Sequence, residues 1–150
     1  MSVKTYSFSD VNLTLSHPSL GQISTNGMGL GTIQVSMRTD RSSIEVASDG
    51  TPVVSKIKDR TGTLAVTLLK LHQDRTSDLN NNLRKWYNYL ESAATSEWSL
   101  IKAVITSKQT GDQDIMNGGS IVKLPDKSFE QTAGNITWNF LFADVTQNTI

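Results

Sequence analysis

The fold is constrained most strongly by an alternation of apolar and polar residues that recurs in separate parts of the chain. Segments 11–16, 32–38 and 136–142 each place an apolar residue at every second position. Successive side chains of a β-strand point to opposite faces, so this period predicts strands with one face in a core. Segment 136–142 carries the bulkiest apolar residues and is predicted to be a central strand.

Apolar runs predict further strands. Segments 62–71 and 100–106 are apolar on both faces over part of their length, as expected of strands that are covered on both sides. A strand is also predicted at 120–124, ending before Pro125, because proline lacks the amide hydrogen that a ladder needs. Together these segments predict a mainly β fold, a small antiparallel β-barrel or a sandwich of two packed sheets.

One segment has a helical period. Its large apolar residues recur at spacings of four, three and four, which places them on one face of an α-helix over about residues 77–94. The helix is predicted to flank the body and to pack this face onto one mouth of the barrel. The residues of this face are Leu79, Leu83, Trp86 and Leu90.

Two stretches, 16–31 and 40–61, are predicted to be exposed excursions from the body. The first contains Asn26-Gly27, a dipeptide that favours hairpin turns. The second is predicted to be a long protruding hairpin. Its apolar residues have too little to cover them within one chain, so they are expected to contact another subunit. The residues assigned to this contact are Ile44, Val46, Asp49, Val53, Val54 and Ile57.

The composition allows one domain over residues 1–150 and excludes several functions. The 14 Lys and Arg residues balance the 14 Asp and Glu residues, without the basic stripe of a tight nucleic-acid binder. The chain has no cysteine, so disulfides and thiolate sites are excluded. No apolar run is long enough to cross a bilayer, and neither export nor a membrane partner is expected.

A search for catalytic chemistry finds no convincing site. His17 and His72 are predicted to lie near different turns without an acidic partner. Asp112 and Asp114 resemble the start of a calcium loop, but the later ligand positions hold Met and Lys, so a polar turn is the preferred interpretation. The glycines of 27–31 precede a strand and not the helix of a phosphate-binding loop. We predict no catalytic residue, no cofactor site and no metal site, and therefore no enzyme.

Several short motifs follow one another over nearly the whole chain. They are Lys4 to Asn12, Val35 to Arg41, Ala47 to Gly50, Val54 to Lys56, Gly62 to Leu64, Leu124 to Asp126 and Trp138 to Asp144. In this order and spacing they resemble the inner tail-tube proteins of contractile-tailed bacteriophages. The tube proteins of related contractile secretion systems share that architecture.

The resemblance implies a structural protein of the virion tail, made in the cytoplasm of the bacterial host. It implies hexameric rings that stack into a hollow tube through which DNA passes without specific binding, and a hairpin, here 40–61, that reaches the adjacent ring. Tail sheath, baseplate and tail terminator proteins are the further partners that it implies. A lumen that lets DNA slide should be polar and poor in cations, and Thr32, Gln34 and Ser36 are assigned to it.

Two alternatives remain open from the sequence. One is the tube protein of a related contractile secretion system. The other is a monomeric β-sandwich module that binds carbohydrate or protein through the glycine-rich loop and Trp98. The module predicts an exposed aromatic cluster and a compact hairpin, whereas the tube subunit predicts a hairpin that its own body leaves uncovered.

Overall fold

A computed structural model describes residues 2–26, 30–69, 78–131 and 134–150 of the chain. These residues form nine strands and one α-helix, together with short 3-10 turns at Phe8–Asp10 and Thr95–Glu97. The elements in chain order are β1 (Val11–His17), β2 (Gly21–Asn26), β3 (Leu30–Met37), β4 (Ser42–Val46), β5 (Pro52–Lys56), β6 (Gly62–Leu69), α1 (Leu79–Ser92), β7 (Ile101–Ser107), β8 (Asp112–Ile121) and β9 (Asn135–Thr149).

Seven of the strands form one antiparallel sheet in the order β2-β1-β7-β8-β9-β6-β3, and β4 and β5 form a separate two-stranded sheet. Because every neighbouring pair is antiparallel, the two edge strands β2 and β3 run in the same direction. Only residues 27–29 separate them in sequence. Within the described residues no ladder joins β2 to β3, so hydrogen bonds do not close the sheet into a barrel.

The alternation in the sequence becomes an alternation of burial. Buried and less buried residues alternate along β1, β6 and β7 and along the first half of β9. Trp138, Phe140 and Phe142 are almost completely buried in one core with residues of β1, β6, β7 and β8. Strands lie on more than one side of this core, which is consistent with sandwich-like packing. The predicted mainly β class is confirmed.

The single helix packs against this core through the predicted face. Leu79, Leu83, Trp86 and Leu90 are all buried and belong to the core cluster. The side chain of Asn80, one residue after the first of them, accepts a hydrogen bond of 3.0 Å from Nε1 of Trp138. This buried bond joins the helix to the central strand β9, and satisfies two polar groups that would otherwise destabilise the core.

A β-bulge changes which residues of β8 face the core. The register between β7 and β8 shifts between Ile101 and Ala103, and Gly118 has a positive φ of 67°. Met116 is buried on one side of this irregularity and Ile121 on the other, although they are five positions apart and would point to opposite faces of a regular strand. As a result Asp112 and Asp114 share the strand face of Met116, since residues two apart point the same way.

Three sequence-based expectations are wrong in detail. Segment 16–31 contains β2, which pairs with β1 along its whole length. Residues 112–121 form β8, paired on both sides, so Asp112 and Asp114 lie in a strand and not in a polar turn. The strand expected at 120–124 ends at Ile121. β2 and β8 are polar segments with a weak side-chain pattern, and hydrogen bonding to neighbouring strands stabilises them.

The helix begins at Leu79 and ends at Ser92, inside the predicted span of 77–94. Ser77, one of the residues in that span, lies outside the described residues, as do His72 and most of the glycine-rich stretch 27–31. No helix in the described ranges is long and apolar enough to span a bilayer.

Candidate assembly surfaces

The separate hairpin, formed by β4 and β5 and here called the arm, is a continuation of the ladder between β3 and β6. The last pair of that ladder is Met37 with Gly62, and the first pair of the arm is Ser42 with Lys56. The backbone amide of Arg38 donates to the carbonyl of Thr61 at 3.2 Å between the two ladders. The arm is therefore a two-stranded ribbon that leaves the body at β3 and returns at β6.

Hydrogen bonds order the base of the arm and join its two sides. Nε of Arg41 donates to the carbonyl of Ile57 at 2.7 Å, and the amide of Ile57 donates to the carbonyl of Arg41 at 2.8 Å. Oδ1 of Asp59 accepts from the amide and the hydroxyl of Thr61 at 2.9 and 2.6 Å. Hydrogen bonds from Thr39 and Thr61 lower the pKa of Asp59 to about 2, so this carboxylate stays ionised at neutral pH.

The arm has one apolar face and one largely polar face. Cross-strand pairs point the same way, and the register pairs Ile44 with Val54 and Val46 with Pro52. These residues make an apolar face, although every residue of both strands is exposed. Ile44, Val46 and Val54 have 63%, 67% and 66% of their surface in solvent. The other face carries Ser43, Glu45, Val53 and Ser55.

The remaining arm residues assigned from the sequence lie elsewhere. Val53 is 55% exposed but points to the polar face, opposite Glu45. Asp49 lies in the turn, where its Oδ1 accepts from the amide of Thr51 at 2.9 Å, and this bond lowers the pKa of the carboxyl. Ile57 is half-buried at the base. Of the arm residues that were assigned from the sequence, only Ile44, Val46 and Val54 lie on one common surface.

The two edges of the main sheet form a second candidate surface. β2 pairs on one side with β1, and β3 pairs on one side with β6, and the outer edges of both lack a ladder among the described residues. Such edges present free amide and carbonyl groups to any strand that can align with them. Along β3, Thr32 and Gln34 are exposed and Ser36 is partly so, while the intervening apolar residues turn towards the core.

His17 has a structural role that its sequence position does not indicate. It is only 3% exposed at the end of β1, and its Nε2 lies 2.9 Å from the carbonyl of Glu97. Nδ1 accepts from the amide of Ser19 at 3.1 Å, so Nε2 carries the proton and donates to Glu97. Both ring nitrogens are thus used in joining β1 to the turn after the helix. Within the described ranges no group of three or more acidic or histidine side chains is arranged to bind a metal.

Solved structures of contractile injection machines share this fold. The chain is similar to a protein in the cap that terminates the tube of the anti-feeding prophage, with a TM-score of 0.62, 7% identity and coverage of 100% of this chain and 95% of that one. A protein in the six-fold symmetrised baseplate of the same system gives a TM-score of 0.63 at 7% identity, with coverage of 99% and 98%. A protein in the sheath-tube complex of an extracellular contractile injection system gives 0.57 at 8%, with coverage of 92% and 88%.

The chain therefore shares its fold with proteins found in contractile injection machines. Residues 3–149 match the family model of the bacteriophage PhiTE tail tube protein, and the chain belongs to this family. A search of individual curated proteins gives no significant match. The predicted relation to phage tail tubes is confirmed by the family match, and the predicted mainly β fold is confirmed by the structure.

Proposed function

We propose that the protein is the structural subunit of a phage tail tube, in which hexameric rings stack into a hollow conduit for DNA. The observation that carries the proposal is the uncovered apolar face of the arm, formed by Ile44, Val46, Pro52 and Val54. Exposed β-branched residues on a projecting ribbon gain stability only when another surface removes them from water. In this proposal the adjacent ring provides that surface.

Ring closure uses the two open sheet edges. The outer edge of β2 in one copy pairs with the outer edge of β3 in the next, which satisfies backbone groups that are free in one chain. Thr32, Gln34 and Ser36 then line the lumen together with their copies. Neutral hydroxyl and amide groups do not bind phosphates through counterion release, so DNA can slide. Arg38, at the end of β3, is the exception on this surface.

The partners in the assembled particle follow from the same proposal. The similar proteins come from structures of a tube cap, a baseplate and a sheath-tube complex. We propose that this tube contacts a sheath, a baseplate and a terminator, and that the subunit is made in the host cytoplasm and acts in the virion tail without enzymatic activity. The tube of a related contractile secretion system is the second candidate. A protein in the sheath/tube terminator structure of an extracellular contractile injection system has the same fold.

The monomeric binding module has less support. It predicts a compact hairpin, whereas both strands of the arm are exposed at every residue. It also places Trp98 near a ligand, but this ring is partly buried and packs edge-on against Tyr87 with centroids 6.0 Å apart. An intramolecular aromatic contact of this kind is a packing interaction.

Arm-mediated stacking is tested by placing a charge on each face of the arm. Val54→Asp puts a carboxylate on the apolar face, and Ser55→Asp puts one on the opposite face of the same strand. Purified wild-type protein should form stacked rings or tubes in negative-stain electron micrographs. Val54→Asp should leave free rings and Ser55→Asp should still form tubes. A wild-type protein that sediments as a monomer at every concentration and salt would refute the proposal.

The lumen assignment has a separate test. Gln34→Lys should introduce a ring of cations inside the tube, so assembled tubes should retain short double-stranded DNA in low salt and release it in high salt. Asn88→Lys, an exposed position on α1, adds the same charge on the flank of the subunit. Equal DNA retention by the two variants would show that Gln34 does not face the conduit.

A further inference from the structure

A pocket of about 290 Å³ opens between β3 and the pair β1 and β7, beside the start of β8. Its wall is apolar and includes Val11, Ile33, Val35 and Ile105. The rest of the lining includes two carboxylates, and the whole cavity is called the acidic pocket below. The remaining lining residues are Tyr6, Phe8, Ser107, Thr110, Asp112, Asp114 and Gln147.

The two carboxylates lie side by side without a cation. Asp112 and Asp114 point to the same face of β8, and Asp112 accepts a hydrogen bond of 2.6 Å from the hydroxyl of Thr110. Burial, and secondarily the charge of Asp112, raise the pKa of Asp114. In the part of the chain that the structure describes, neither carboxylate forms an ion pair. A positive group from outside the chain would therefore stabilise both.

A third polar group in the same pocket lacks a partner. Ser107 lies directly across from Asp112 in the ladder between β7 and β8 and is only 3% exposed. Its Oγ is buried and has no hydrogen-bond partner among the described residues. A buried hydroxyl without a partner is costly, so the pocket is incomplete in the isolated chain.

The shape and chemistry of the acidic pocket fit a lysine or arginine side chain. Such a side chain has an apolar stem that can contact Val11, Ile33 and Val35 and a cationic head that can reach Asp112 and Asp114. The oxygen atoms of the lining could also coordinate a metal ion, but a metal ion would leave the apolar part of the lining without a function. The pocket thus favours an amphipathic guest over an ion.

The same molecule carries a cationic surface at the base of the arm. A concave region of about 600 Å³ is lined by Arg41, Lys56, Lys58, Arg60, Ala143 and Asp144. Asp144 is the single acid of this lining, and its Oδ1 lies 2.9 Å from Nε of Arg60. Lys56 and Lys58 are exposed, and neither has an ion pair among the described residues. These two lysines are therefore exposed cations that can bind another molecule.

The acidic pocket and the lysines occupy the same end of the sheet. The pocket includes Gln147 of β9 and the cationic surface includes Asp144 of β9, three positions away in sequence. Val145 of β9 is buried, and Gln147, two positions on, shares its strand face, whereas Asp144 points to the opposite face. Two surfaces that lie at the same end of the subunit but on different sides of it can meet when two copies stand side by side in a ring. Contact between stacked copies would instead require surfaces at opposite ends.

We propose that Lys56 and Lys58 of one copy bind Asp112 and Asp114 of the neighbouring copy in the same ring. This inference rests on the proposed tube function and adds a specific ionic contact between subunits to it. The alkyl stems of the lysines cover the apolar wall, and an ammonium group donates to Oγ of Ser107, which completes the pocket.

Charge reversal with rescue tests the contact. Lys56→Glu/Lys58→Glu and Asp112→Lys/Asp114→Lys should each raise the protein concentration needed for half-maximal ring formation about tenfold or more, because each places like charges together. Both pairs of reversals in one chain, or an equimolar mixture of the two variants, should restore rings. Sedimentation velocity measures ring formation. The matched control is Lys102→Glu, which reverses an exposed lysine at the other end of β7 and should assemble normally.

A milder variant guards against a folding defect. Asp112→Asn/Asp114→Asn should fold with a normal circular dichroism spectrum and should lose most of the salt dependence of assembly that the wild type shows. If the wild type assembles but the reversed variants assemble equally well, or no combination restores rings, the lysine contact is wrong while the tube function stands. Calorimetric binding of CaCl2 or MgCl2 that requires both aspartates, with normal assembly of the lysine variants, would assign the pocket to a metal and also overturn the contact. A wild type that never assembles would refute the tube proposal itself.

Discussion

The arm and the β1–β7 pair are both antiparallel pairs with β-branched residues, yet their surroundings differ. In β1 and β7 every second residue is buried, whereas every residue of β4 and β5 is exposed. The strands themselves are comparable, since the arm keeps a regular five-pair register. The difference is that a second layer covers one face of β1 and β7, whereas none of the described residues covers the arm. Stability of the subunit should therefore reside in the body, and stacking of the rings in the arm.

The largest expected effect on folding is that of Phe140→Ala in β9. Phe140 is completely buried at the centre of the core, and its ring lies 6.2 Å from that of Phe142. Truncation should lower the free energy of unfolding by about 3–5 kcal/mol, because it removes apolar contacts and leaves a cavity. Urea unfolding of unstacked protein, with Val54→Asp in both samples to prevent stacking, measures the change. A loss below about 1 kcal/mol would contradict the assignment of stability to this core.

A smaller effect is expected from Trp138→Phe. The indole of Trp138 donates to Oδ1 of Asn80 at 3.0 Å, and both residues are buried. Phenylalanine keeps most of the apolar volume but leaves the amide oxygen without its donor, which should cost about 1–3 kcal/mol. Asn80→Leu in the Trp138→Phe background should recover part of this loss. Urea unfolding of the wild type, the single variants Trp138→Phe and Asn80→Leu, and the double variant gives the coupling between helix and sheet.

The body shows what the sequence can reveal. The strands with strong alternation, β1, β3 and the first half of β9, and the helix α1 were predictable, because one-sided burial imposes a period of two or of about 3.6 residues. The arm was predictable as well, because its apolar residues alternate within a stretch rich in turn formers. Its exposed face and its exit from the ladder between β3 and β6 agree with the predicted protrusion.

Other features depend on contacts that are distant in sequence. β2 and β8 are polar strands that pairing with neighbours stabilises, so their side chains give no clear period. The bulge at Gly118 changes which residues of β8 face the core. Asp112 and Asp114 therefore line a pocket with residues of β3 and β7. His17 is buried by a turn 80 residues later in the chain. No local pattern encodes such meetings.

The junction between arm and body should respond to acid. Because the folded pKa of Asp59, about 2, lies below its ordinary value of 3.8, the ionised carboxylate favours the folded junction. The contribution is fully present above about pH 4 and is lost as the pH falls towards 2. Asp59→Asn should therefore be less stable than the wild type at pH 7 and nearly equal to it near pH 2. NMR titration of the Asp59 carboxyl with a midpoint near 4 would exclude this anchoring role.

The smallest effect on folding is expected from Val54→Ala on the apolar face of the arm. Val54 is 66% exposed, so removing two methyl groups should change the free energy of unfolding by no more than about 0.5 kcal/mol. The same change should weaken stacking, since it removes apolar area from the surface that the next ring covers. Tube length in electron micrographs and urea unfolding of the unstacked protein separate the two effects, and Ser55→Ala on the opposite face is the matched control. A clear loss of folding stability with unchanged tubes would mean that the body, and not a neighbouring ring, covers this face of the arm.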